Sequence, residues 1–451
     1  MIGLINFKTD KEGKKMKILV SGTGYVGLVT AVCLADKGHD VVCYDVVKEK
    51  IDMLNNGQAP IYEAGLEELM KKNKEKIEYT YNKKEAYKDI DVIFIGVGTP
   101  ERVDGSANLD YIYAVADDII ENINKDCLVV IKSTVPIGTN YKVEKYIQER
   151  LKGKYRMEIA SNPEFLAQGT AVKDTLEAQR IIIGTHSKWA EEILKSIYKD
   201  FEKSIIVSTD INSAEMIKYA SNDFLALKIS YINEIANLCE ILDANIEDVA
   251  LGMGLDKRIG NKFLNAGIGY GGSCFPKDTK ALHWLAKINE CELKTVKAAI
   301  DVNQNQKLKL IEKSKKYYEQ LRGINVAVLG LAFKPGTDDL REAPSIINVE
   351  YLENNGANIK AWDPIAQKNF SKIFPQINYC DTIEETIKDT DICFIFTEWK
   401  AIKNFDISKY EKLMRKAIIL DGRNCYKLDD MRNYNVIYES IGRKSIENIK
   451  K

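Results

Sequence analysis

Short, continuously apolar runs alternate along this chain with longer stretches of helical periodicity, and glycine-rich or polar turns close most of the runs. Lys17–Ser21 (KILVS) has the unbroken apolar character of a buried parallel strand. A turn with three glycines follows, then LVTAVCLADKG, which predicts a helix, then a second strand over Asp40–Tyr44 that ends at Asp45. Further strands are predicted over Asp91–Val97 (DVIFIGV), Cys127–Ile131 (CLVVI) and Glu158–Ser161. No Gly or Pro occurs between Thr185 and Leu251, and Ser213 to about Leu242 predicts one long helix of roughly 40 Å or more. Its apolar residues (Met216, Ile217, Leu225, Leu227, Ile229, Ile232, Ile235) fall on more than one face, so it is expected to be buried and to join domains or subunits. A second alternating segment starts at Ile324 (INVAVLGLAF). It continues through a helix over Ser345–Asn355, a strand ending at Asp363, and strands over Ile392–Phe396 and Ala417–Leu420.

The turn after the first strand carries chemistry. In Gly22-Thr23-Gly24-Tyr25-Val26-Gly27 the first glycine makes the turn, the second admits a pyrophosphate to the backbone, and the third lets helix pack on strand. Asp45 lies 18 residues past Gly27, where a carboxylate meets the adenosine ribose. Strand, glycines, helix, strand and acid in this order predict an NAD site, and the carboxylate disfavours a 2′-phosphate, although Lys50 stands nearby. The expected fold class is α/β, with two Rossmann-like doubly wound domains joined by a helical central domain with one long helix. The expected boundaries are 1–210 for the NAD-binding domain, 211–322 for the central dimerisation and thiol domain, and 323–451 for a second Rossmann-like domain.

A length of 451 residues suits two or three domains, and a hydrophobic fraction of 45% allows several cores. The net charge of −1 offers no reason to expect nucleic acid or an acidic membrane as partner. No apolar run approaches a membrane span. Met1–Lys15 carries an apolar patch too short for a signal peptide, and Met16 is an alternative start. Nine cysteines without CxxC or zinc spacing fit reduced thiols and a cytoplasmic setting, with no metal site expected. The three histidines, His39, His186 and His283, form no catalytic-looking cluster, so proton transfer is expected to rest on Lys, Asp, Glu or water.

Candidate reactive groups collect at strand ends and in one loop. Gly98-Thr99-Pro100, Lys132-Ser133-Thr134 and Asn162-Pro163-Glu164-Phe165-Leu166 end strands of the first segment, where the ligand crevice of an open sheet lies. Thr134 and Glu164 are candidates to face nicotinamide and substrate, with loop capping as the alternative. Gly267-Ile268-Gly269-Tyr270-Gly271-Gly272-Ser273-Cys274 packs glycines ahead of a single thiol, with Lys277 and Asp278 close behind. A nearby cation or exposed N–H groups favour the reactive thiolate, and the alternative is a glycine-rich turn with an incidental cysteine. Lys218 and Asn222 are four residues apart and share one face of the long helix. Taken alone, Lys218 reads as a snorkelling surface residue rather than a buried ammonium. Lys334, Arg341 and Arg423 at strand ends of the last segment suit an anionic phosphate.

Together GTGYVGL, VGTP, STVPIGT, SNPEFLAQGTAVKD, DKRIG, GIGYGGSCFPKDTKAL, GLAFKPGTDDLRE and DGRN resemble the UDP-glucose dehydrogenase family of nucleotide-sugar dehydrogenases, over nearly the whole chain from Met16 to Arg443. The resemblance implies oxidation of a sugar 6-hydroxyl to a carboxylate with two NAD, through a thiohemiacetal and thioester on Cys274. It implies catalytic roles for Lys218, Asn222, Asp278, Glu164 and Thr134. NAD would be held by Gly22, Gly24, Tyr25, Val26, Gly27, Asp45, Lys50, Thr99, Pro100, Thr134, Gln168, Lys277 and Arg341. UDP-glucose would be held by Glu164, Phe165, Leu166, Lys218, Asn222, Arg258, Asn265, Gly267, Gly269, Tyr270, Gly271, Phe275, Lys334 and Arg423. It also implies a homodimer or dimer-based oligomer in which Arg258 reaches the sugar bound by the partner. Gln168 departs from the family's usual glutamate and cannot take a proton, which leaves Glu164 the better carboxylate. Asn108 stands where Asp is common. The alternatives are a dehydrogenase of GDP-mannose or UDP-N-acetylmannosamine, and an NAD-responsive redox sensor.

Overall fold

The structure is a computed structural model that describes residues 16–448; the reading of Met1–Lys15 lies outside the described residues. The chain divides into two compact units between Ala220 and Ser221, inside the long helix Ile211–Ile241.

The first unit is built on an eight-stranded sheet. Its strands are β1 (Lys17–Ser21), β2 (Asp40–Tyr44), β3 (Ile77–Thr80), β4 (Val92–Ile95), β5 (Cys127–Ile131), β6 (Met157–Ser161), β7 (Arg180–Gly184) and β8 (Ile205–Thr209), in spatial order β3-β2-β1-β4-β5-β6-β7-β8. All neighbours pair in parallel except β6 with β7. The strands lie between two apolar layers, one around Leu28, Val32 and Leu54, the other around Ile112, Ile119 and Val143. Burial on both faces is why β1, β4 and β5 read as unbroken apolar runs. The order reverses between β1 and β4, which opens a crevice at their C-terminal ends.

The second unit repeats the plan with seven strands. These are β9 (Asn325–Leu329), β10 (Asn358–Trp362), β11 (Asn378–Tyr379), β12 (Ile392–Ile395), β13 (Ile418–Asp421), β14 (Ile437–Glu439) and β15 (Ile446–Glu447). Their order is β11-β10-β9-β12-β13-β14-β15, with β15 antiparallel to β14. The switch point falls between β9 and β12. Two Rossmann-like sheets with a helical region between them in sequence agree with the α/β expectation.

The long helix runs Ile211–Ile241, against an expected start at Ser213. Asp210 sets the earlier start: its side chain accepts from the Ser213 N–H at 2.9 Å and the Ser213 hydroxyl at 2.6 Å, an N-terminal cap. The expectation of burial all round is corrected. Ala226, Ile232 and Ala236 are buried, but Phe224 (62% exposed), Tyr231 (48%), Leu238 (49%) and Ile241 (78%) form an uncovered stripe at near-heptad spacing.

Candidate active site

In the first unit, Gly22 and Gly27 are required by backbone contact. Gly22 has φ +99°, and a Cβ there would meet Gly96 backbone at 3.0 Å. A Cβ on Gly27 would stand 1.9 Å from the Gly22 oxygen. Gly24 differs: nothing lies within 4 Å of its absent Cβ. It precedes the helix Tyr25–Asp36, whose N-terminus has no side-chain cap and no acidic residue in its first turn. Open helix N–H groups behind an uncrowded glycine suit a pyrophosphate, so the residues fit a dinucleotide. Asp45 closes the turn, accepting from Thr23 N–H at 2.9 Å, Thr23 Oγ1 at 2.7 Å and Val47 N–H at 3.0 Å. Burial would raise its carboxyl, but these bonds and Lys50, 3.6 Å away, hold it below the ordinary value. Thr23 is a residue the fingerprint alone does not single out.

Past the end of β6, Glu164 meets Lys218 of the long helix. Lys218 Nζ donates to Glu164 Oε1 at 2.8 Å with both side chains about 5% exposed or less. The surface reading of Lys218 is therefore corrected. Glu164 Oε2 also accepts from Leu166 N–H at 2.8 Å, and Phe165 lies under the ammonium at 5.5 Å. Thr99 Oγ1 donates to the Thr134 carbonyl at 2.8 Å and ties two loops together. Lys132, which the sequence marks only as part of a strand end, is buried and donates to Asn162 Oδ1 at 3.0 Å. Burial pushes its ammonium down to about 8, opposed by Glu164 and assisted by Lys218. Gln168 is buried, and its Oε1 has no hydrogen-bond partner among the described residues. Glu63, also missed, holds the turn beyond it by accepting from Gly169 and Ala171 N–H at 2.7 and 2.8 Å. Its only sequence signal was an acid in an otherwise unremarked loop.

In the second unit Cys274 occupies the N-cap of the helix Phe275–Ile288 and is partly exposed. A helix N-terminus stabilises a thiolate. Asp278, one turn on and 1% exposed, is held from both sides: Asn222 Nδ2 donates to Oδ2 and Lys277 Nζ to Oδ1, each at 2.6 Å. The glycines before the thiol are explained by packing. A Cβ on Gly271 would lie 2.4 Å from the Glu342 oxygen, and Gly269 has φ +85° with Asn303 Oδ1 at 2.6 Å. The Gly267, Ile268, Tyr270 and Gly272 N–H groups are bonded to Asn233, Gly422, Asn303 and Arg341.

The expected phosphate-binding cations divide. Arg423 donates to the Gly269 carbonyl at 3.0 Å and the Phe396 carbonyl at 2.9 Å, so it braces the thiol loop against β12. Arg341 pairs with Asp339 through Nε and Nη2 at 2.9 and 2.7 Å. Lys334 lies 5.5 Å over Phe333. Arg258 is 89% exposed and paired with Asp256, and Asn265 is exposed.

Among the described residues no group of His, Cys, Asp and Glu is placed to hold a metal, and no helix is long and apolar enough to cross a membrane. Three models of the UDP-glucose/GDP-mannose dehydrogenase family match the chain in order. They are the NAD binding domain over residues 16–202, the central domain over 212–305 and the UDP binding domain over 327–428. The UDP-glucose 6-dehydrogenase YwqF of Bacillus subtilis (strain 168) is 48% identical over 434 residues, covering 96% of this chain and 98% of that one. A UDP-glucose dehydrogenase structure from the hyperthermophilic archaeon Pyrobaculum islandicum matches with TM-score 0.90 at 35% identity, over 97% of this chain and 100% of that one. A UDP-D-ManNAc dehydrogenase from Pyrococcus horikoshii matches with TM-score 0.84 at 28% identity, over 96% and 100%.

Proposed function

Because the chain belongs to the UDP-glucose/GDP-mannose dehydrogenase family, we propose that it oxidises the 6-hydroxyl of UDP-glucose to the carboxylate of UDP-glucuronate, with NAD as acceptor. The observation that carries this reading is the thiol at a helix N-terminus followed by the buried Asn222–Asp278–Lys277 chain. A simple alcohol dehydrogenase has no use for a nucleophile there. The 48% identity to a UDP-glucose 6-dehydrogenase supports the choice of sugar.

When bound, NAD accepts one hydride in each of two oxidations. Gly22, Gly24 and Gly27 present the helix N-terminus to its pyrophosphate, and Asp45 takes the ribose. The residues of the chain do the rest. The Lys218–Glu164 pair takes the 6-hydroxyl proton as the first hydride leaves. Cys274 Sγ then forms a bond to the aldehyde carbon, and the carbonyl oxygen takes a proton to give a thiohemiacetal. Asn222 faces the oxyanion, and Asp278 holds an ordered water. Loss of the second hydride and the hydroxyl proton leaves a thioester. Thr134 and Glu164 position the water that adds to it. The carbon–sulfur bond breaks, and thiol and carboxylate are released. The alcohol has then lost four electrons to two NAD, and the aldehyde has stayed tethered between the steps. Lys334 and Arg423 bind the UDP half, and residues 265–271 follow the sugar. In this reading the domains run 1–210, 211–322 and 323–451.

The stripe of Phe224, Tyr231, Leu238 and Ile241 supports a two-fold dimer through the long helix, since such an interface buries the same patch on both subunits. Arg258, exposed in the single chain, then reaches the partner's sugar. Nine free thiols support a cytoplasmic setting.

The test is NADH yield across UDP-glucose, UDP-N-acetylmannosamine and GDP-mannose. Two NADH per UDP-glucose are expected, with little aldehyde trapped by hydroxylamine. A ratio of one with abundant trapped aldehyde rejects the tethered route, and preference for another sugar reassigns the substrate. Cys274→Ala abolishes complete turnover while NAD binding survives. Refolding Arg258→Ala with Cys274→Ala returns on the order of a quarter of wild-type sites if Arg258 acts across the dimer, and none if it acts within its own subunit.

A further inference from the structure

Asp223 is the residue after Asn222 on the long helix, and none of the roles above uses it. It is 6% exposed, and neither carboxyl oxygen has a hydrogen-bond partner among the described residues. Its neighbour in the second unit is Asp278, which is buried more deeply still but is compensated by Asn222 and Lys277. Two nearby carboxyl groups with such unequal surroundings divide the roles: the compensated one carries the charge and the uncompensated one carries the proton.

We propose that Asp223 is a positioning residue of the thiol site that works as a neutral acid, leaving Asp278 the only carboxylate beside Asn222 so that the amide and the Lys277 ammonium stay committed to it. Once ionised, Asp223 competes for both donors and the reaction slows. The electrostatics agree. Burial, with the Asp278 charge second, pushes the Asp223 carboxyl up to about 8. Another ionisable group whose field it shares is Tyr270, which burial first of all pushes up to about 12 and which stays neutral over the same range.

This inference rests on the dehydrogenase reading, so the experiment includes a measurement that needs no substrate. A carboxyl whose folded value is raised binds its proton more tightly in the native state, so its contribution to stability falls as pH rises from the unfolded value, about 4, to the folded one. Asp223→Asn cannot ionise. Its Tm advantage over wild type is expected to grow between about pH 5 and pH 8 and to level off above. In turnover, wild-type kcat is expected to fall above about pH 8, with the fall displaced upward by about one unit or more in Asp223→Asn and no matching change in KM. Asp223→Ser, which also carries no charge, is expected to show the same displacement. Parallel Tm curves, or an alkaline limb unchanged in both variants, would overturn the proposal. If no nucleotide sugar yields NADH, the functional reading falls, and the Tm comparison alone decides whether Asp223 holds a proton.

Discussion

The two sheets are built on the same opening turn and use it differently. In the first, Gly22 N–H donates to Tyr44 O at 2.8 Å; in the second, Gly330 N–H donates to Trp362 O at 2.8 Å. Both glycines have positive φ. In each sheet an acid one residue past the second strand closes the turn. Asp45 accepts from Thr23 and Val47, while Asp363 accepts from the N–H groups of Leu331, Ala332, Ile365 and Ala366 and from Trp399 Nε1. An acid at this position is thus a fold device before it is a ribose reader. What differs is the next step. After Gly22 the chain enters a helix at once, with an open N-terminus behind Gly24. After Gly330 it makes a longer excursion through Lys334 and Arg341, and the next helix begins only at Pro344. A dinucleotide needs the first arrangement, whereas the second spends its acid on four backbone N–H groups and the Trp399 indole.

Substitutions can break this comparison or sharpen it. The largest expected effect is Asp363→Ala, which strands several buried donors and costs about 3–5 kcal/mol, read as a lowered denaturant midpoint. Asp45→Ala, with fewer donors to strand, costs about 1–2 kcal/mol. Equal losses would show that the two acids do the same job. Next is the glycine pair. Gly27→Ala drives a methyl into the Gly22 carbonyl and is expected to cost about 3 kcal/mol, whereas Gly24→Ala stays within about 1 kcal/mol but weakens NAD in calorimetry. If Gly24→Ala binds NAD normally, the pyrophosphate does not approach there. Third, Asp45→Ser is expected to narrow the NAD-over-NADP preference about tenfold, roughly 1.4 kcal/mol. An unchanged ratio of kcat/KM values would leave Asp45 as a turn cap alone. Because its folded carboxyl sits below the unfolded value, Asp45 stabilises above about pH 4, and that stability disappears as acid protonates it. The Asp45→Ser stability deficit should therefore shrink in acid. The smallest effect is Lys50→Ala, within about 0.5 kcal/mol, because a half-exposed ammonium at 3.6 Å is well screened.

Much of this was readable along the chain, because the signals are local. The apolar runs of β1, β4, β5 and β9, the spacing of Gly22, Gly24 and Gly27, and the long stretch without Gly or Pro report backbone conformation and burial at their own positions. β3, β7, β8, β11, β14 and β15 were not picked out, and β8 shows one reason: it lies at the sheet edge, and its residues are only partly covered. The candidate site was legible as residue types, since thiol, lysine and acids stood out by their chemistry. Their partners were not. Lys218 carries no mark in the sequence that separates a surface ammonium from one buried against Glu164, 54 residues earlier. Asp223 reads as one more polar residue on a helix until its two unpartnered oxygens are seen. The glycines before Cys274 read as a cradle, yet Glu342, Asn303 and Gly422 are what forbid a side chain there. The sequence by itself determined which groups could react and which segments would be strand or helix, because propensity and periodicity act within a few residues. Only the tertiary structure decided which of those groups are charged, paired or crowded, because desolvation and close contact are set by residues far away in the chain.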